Sequence, residues 1–102
     1  MMPVPVQAGL VVSAILFGLG LFGVLARRNI IVILMSIEVM LNAAALAFVC
    51  AGARWQQADG QVMVLFILAM AAAEVAVGLA LAIQFYRRFG TLDADAASRL
   101  RG

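Results

Sequence analysis

Between Asn29 and Ala53 the chain reads NIIVILMSIEVMLNAAALAFVCAGA, an apolar run broken by one carboxylate, Glu38, far from either end. A helix rises about 1.5 Å per residue, so a run of this length crosses a hydrocarbon core of about 30 Å. An ionised carboxylate at the centre of such a helix costs roughly 2.5–3.5 kcal/mol on insertion scales. A simple anchor would carry leucine there instead. The rest of the chain has to make Glu38 tolerable and useful.

Two further runs are equally apolar, one before Arg27 and one before Arg87. Hydrophobic residues make up 67% of the 102 residues and charged ones 12%. Soluble domains hold about 45–50% and about 25%. The chain therefore reads as a single all-α integral membrane domain, residues 1–102, with three transmembrane helices at about 6–26, 30–52 and 61–86 and a tail over 89–102. Histidine is absent, and a single cysteine, Cys50, excludes an internal disulfide and any cysteine-rich metal or iron–sulfur site. A net charge of +2 is no nucleic-acid signal, because the arginines sit beside the apolar runs. The start, Met1 to Gln7, lacks the basic head and small-residue cleavage site of a signal peptide and is expected to stay attached.

The first run carries Gly9, Gly18, Gly20 and Gly23, read as positions where a neighbouring helix packs closely. Arg27-Arg28-Asn29 is a tight link and predicts an antiparallel helix hairpin. The polar loop Arg54 to Gly60 follows, with Trp55 at an interfacial position and Asp59 expected to cap the third helix. In that helix small residues recur four apart: Ala69 and Ala73; Ala72, Ala76 and Ala80; Gly78 and Ala82. The tail is compatible with a short surface helix or a mobile end. Arg27 and Arg28 share a side with Arg87, Arg88, Arg99 and Arg101, against Arg54 alone on the other. The positive-inside rule then puts the N-terminus outside and the C-terminus in the cytoplasm.

The third span also holds one carboxylate, Glu74. Glu38 lies about 15 Å from the cytoplasmic edge and Glu74 about 20 Å, counted from Arg28 and Arg87. Low-dielectric surroundings favour a protonated acid, and a second carboxylate nearby favours it further. Groups so placed can change protonation as their surroundings change. Two acids at similar depth on antiparallel neighbours are expected to exchange a proton, directly or through water. Asn42, one turn past Glu38, is a candidate to hydrogen-bond it or hold a water beside it; Ser36 points elsewhere. No basic residue lies within either span, so neither carboxylate finds a counter-charge inside a membrane helix of this chain; a partner Lys or Arg on another subunit is the resulting hypothesis.

The segments ARRNIIVILMSIEVMLNAAALAF and DGQVMVLFILAMAAAEVAVGLALAIQFYRR resemble the K subunits of proton-pumping NADH:quinone oxidoreductase, respiratory complex I, and their mitochondrial counterparts. The specific parts are the RRN link, S-I-E-x-M-x-N-A, GQVM and AAAE-x-x-x-GLAL. The resemblance implies a membrane-arm subunit of a hetero-oligomer in a bacterial inner (plasma) membrane, adjacent to subunits of the J, A and N types. It implies no cofactor in this chain, with NADH, FMN, iron–sulfur clusters and quinone handled by other subunits, and no catalysis by the chain alone. Glu38 and Glu74 match the family's two membrane carboxylates, which couple quinone reduction to proton translocation. Arg27 and Arg28 match its cytoplasmic-link arginines, with a supporting role. The alternative is the C-type subunit of a multisubunit cation/proton antiporter, a transport assembly without redox chemistry.

Overall fold

The computed structural model describes the backbone from Pro5 to Arg101 and the side chains from Pro5 to Ala97. Much of the Met1–Gln7 start, and the side chains of Arg99 and Arg101, lie outside the described residues. Three helices, α1 (Val6–Ala26), α2 (Ile30–Trp55) and α3 (Asp59–Phe89), are each long and apolar enough to cross a membrane. A short 3-10 segment, Ala94–Arg101, follows. The bundle is 58 Å long and 24 Å across.

The central element is α2, against which α1 and α3 each pack. Glycines set how closely α1 approaches. A β-carbon at Gly20 would stand 2.6 Å from Met40 Cγ and 2.8 Å from the Ser36 carbonyl oxygen. Gly9 faces Cys50, and Gly23 faces Ser36, whose hydroxyl donates to the Val32 carbonyl at 2.9 Å. The buried Ser13 hydroxyl donates across the interface to the Ala43 carbonyl. Only Gly18 departs from the packing expectation, since a β-carbon there would meet nothing within 4 Å.

The link between α1 and α2 is tight because Asn29 caps α2. Its side-chain oxygen accepts from the Ile31 and Val32 N–H groups at 2.9 and 3.2 Å, two donors that lack partners at a helix start. Both later spans run longer than their apolar stretches. The second continues to Trp55 instead of residue 52, and the third runs from Asp59 to Phe89 instead of 61–86. Leaving the hydrocarbon does not end a helix; a backbone reversal does. Here the reversals are left-handed residues, Gln56 with φ 52° and Gly90 with φ 69°. Asp59 corrects the capping expectation. The cap position is Ala58, which makes no side-chain cap bond, and Asp59 sits in the first turn, where its charge faces the positive end of the helix dipole.

The tail folds back on the α1–α2 link. Ile30 N–H donates to the Leu92 carbonyl at 2.9 Å and Ala94 N–H to the Arg28 carbonyl at 2.7 Å, pairing Asn29 with Asp93. Arg28 Nε lies 3.2 Å from Asp95 Oδ2, an exposed pair that solvent screens heavily. Ala96 is buried beneath this return. The α1–α2 link and the tail therefore share one end of the bundle.

Candidate functional site

The site is set by how α2 meets α3. At one end Gly52 and Gly60 bring the backbones together, and a β-carbon at Gly52 would lie 3.2 Å from Gly60 Cα. Toward the other end Leu34 fills the space over Gly78, its Cδ1 2.9 Å from where a β-carbon would be. These pairs fix an antiparallel register. One helical turn inward from the second pair, Leu34 leads to Glu38 on α2 and Gly78 to Glu74 on α3. The two carboxylates stand level along the bundle.

Level does not mean bonded. Glu74 is exposed and lines an open groove of about 470 Å³ with Leu34, Ile37, Ala73, Val77 and Leu81. Glu38 does not line this groove; Ile37 does. Neighbouring helix residues are turned by about 100°, so Glu38 lies round the flank of α2. Ile31, two turns before Glu38 on the same face, lines the opposite groove with Leu79 and Ala82. The helices close along Leu34–Gly78 and leave the acids on different flanks of that seam. Among the described residues no hydrogen bond or ion pair reaches either carboxylate.

Glu38 is half-buried, and its Oε1 is fully buried without a hydrogen-bond partner among the described residues. A buried polar atom left unpaired is uncommon in proteins and asks for a reason. Asn42 does not supply the bond; it is exposed, one turn further along. Ser36, as expected, belongs to the α1 face.

At the tail end, Arg28 is held by Asp95 and by the paired tail backbone, while Arg27 is exposed and has no ion pair among the described residues. Sequence alone leaves the tail's part in holding this link undecided. A signal existed in Gly90, a small residue just past a long helix, the usual place for a chain to turn back. The described residues contain no cluster of three or more metal-ligating side chains.

The family model described as NADH-ubiquinone/plastoquinone oxidoreductase chain 4L matches residues 8–102. A protein of Nitrosospira multiformis named NADH-quinone oxidoreductase subunit K is 65% identical over 102 residues, covering 100% of both chains. Proteins of the same name from Pseudomonas aeruginosa and Azotobacter vinelandii are 60% and 59% identical over 99 residues, each covering 97% of both chains.

Proposed function

The chain belongs to the chain 4L family of NADH-ubiquinone/plastoquinone oxidoreductases, the subunit K family of bacteria, and on that premise we propose that its Glu38 and Glu74 relay charge between quinone reduction and proton translocation. It is a multi-pass membrane subunit of a multisubunit enzyme, and the family favours this reading over the C-type antiporter subunit. The relay reading rests on one observation above the others: Glu38 Oε1 is buried and unpartnered, level with a second carboxylate on the neighbouring helix.

The chemistry follows from the two environments. Glu38 keeps a lone pair or a proton available inside the protein, and Glu74 presents its carboxyl group to whatever covers the α2–α3 groove. A proton passes between them through intervening donors such as water or a neighbouring subunit's side chain. A charge arriving near one carboxylate acts on the other through the low-dielectric interior. Asn42, on the uncovered side of Glu38, supports the relay by hydrogen bonding into the adjoining subunit. Arg27 and Arg28 support it from the link, which the tail holds in place.

In this reading the chain binds no redox cofactor and has no activity alone. Its neighbours are subunits of the J, A and N types, and its membrane is the bacterial inner membrane. The test is Glu74→Gln in membranes with normal amounts of assembled complex. The expected result is NADH-driven proton uptake lowered by roughly a hundredfold, the low end of what a lost proton-transfer group costs. Unchanged uptake removes Glu74 from the relay.

A further inference from the structure

At the tail end, the α2–α3 seam opens into a groove of about 710 Å³ between Ile30 and the last turns of α3. Its floor is apolar. Phe85 and Phe89 lie in tilted contact with ring centroids 4.6 Å apart, and Leu81 extends the surface toward the bundle centre. Arg87 and Arg88 line the same groove beside Gln84, and the Arg88 guanidinium lies 6.0 Å over the Phe89 ring.

Both arginines are exposed, and neither has a carboxylate partner among the described residues. The acids nearest in sequence are engaged elsewhere: Asp95 pairs with Arg28, and the Asp93 carboxylate accepts from the Asp95 N–H. Two cations with no carboxylate partner among the described residues thus stand where a spanning helix leaves the hydrocarbon, at the head of an apolar trough. That polarity is the polarity of a lipid. A guanidinium forms paired hydrogen bonds with phosphate oxygens, and basic pockets between membrane helices accept anionic head groups.

We propose that this groove is a binding site for one anionic phospholipid. The phosphate lies on Arg87 and Arg88, Gln84 donates to the head-group or ester oxygens, and an acyl chain follows Phe85 and Leu81. A protein helix in this place would have to bring acids to the level of both arginines, whereas the leaflet already holds phosphates there. Leu81 also borders the groove of Glu74, so the lipid would close one end of that groove against water. The site does not depend on the relay.

The test uses the intact complex, isolated through a tag on another subunit and washed in detergent. Retained phosphatidylglycerol, cardiolipin and phosphatidylethanolamine are counted per complex by mass spectrometry. The wild type is expected to keep one anionic lipid that Arg87→Gln/Arg88→Gln loses, with phosphatidylethanolamine unchanged. Leu81→Trp, which fills the trough and leaves both charges, is expected to lose it too, and Arg54→Gln at the opposite end to retain it. Equal anionic lipid in all four overturns the proposal. A second readout needs no variant: photoreactive phosphatidylglycerol should label residues 81–89 of the wild-type complex, competed by unlabelled phosphatidylglycerol. Labelling only elsewhere, or a cross-link from Gln84→Cys to another subunit's helix in place of lipid, also overturns it.

Discussion

Glu38 and Glu74 look alike in the sequence and differ in the structure. Both interrupt an apolar span at middle depth, and one turn from Leu34–Gly78 they stand level. Yet Glu38 has a buried oxygen with no partner among the described residues, while Glu74 is exposed. Depth was legible because helical rise is constant; facing was not, because rotation about a helix axis is set by what packs beside it. Removing Glu38 should therefore abolish a site inside the chain. Glu38→Ala is expected to lower NADH-driven proton uptake by roughly a hundredfold or more. Asn42→Glu in that background moves the acid one turn along the same flank, into an exposed position, and should restore part of it. Restoration by Ser36→Glu, on the α1 face, would contradict the facing described. Asn42→Ala alone should cost less than either glutamate change, because Asn42 makes no bond to Glu38.

At the level of elements, two kinds of glycine separate. Gly60 lies where a β-carbon would strike the Phe48 carbonyl and come within 3.1 Å of Gly52 Cα. These are backbone atoms and cannot step aside. Gly60→Ala should destabilise the α2–α3 pair by about 1–3 kcal/mol, the usual cost of overpacking. Gly18→Ala should leave packing within the chain unaffected, since nothing lies within 4 Å. Thermal unfolding of the purified complex, followed by loss of this subunit, distinguishes the two; equal destabilisation would show that Gly18 packs on another subunit. The glycine pattern announced close packing of the first helix but not which glycines were used, a matter of register between helices. Three spans were plain from hydropathy. Their ends were not, because Arg54, Trp55 and Arg87 to Phe89 continue helices past the apolar run until Gln56 and Gly90 reverse the backbone.

The whole molecule is a central helix with one partner on each side, its two ends different in kind. One end joins the α1–α2 link to the returning tail through Ile30, Arg28 and Asp95; the other is the short turn at Gln56 to Ala58. The arginines gathered at the tail end predict that this end is cytoplasmic. A reporter fused to the C-terminus should be active in the cytoplasm and silent in the periplasm; the reverse would invert the topology. The surroundings of Glu74 were not legible, since its groove opens outward from the chain. The central claim is that Glu38 and Glu74 serve one path although no bond joins them. A double-mutant cycle of Glu38→Gln and Glu74→Gln measures this most directly, read as initial proton uptake driven by NADH in inverted vesicles, per assembled complex. Groups acting as a unit are non-additive. The account predicts that the double variant pumps no more slowly than the slower single variant. Multiplying losses would mean two independent roles and would contradict it.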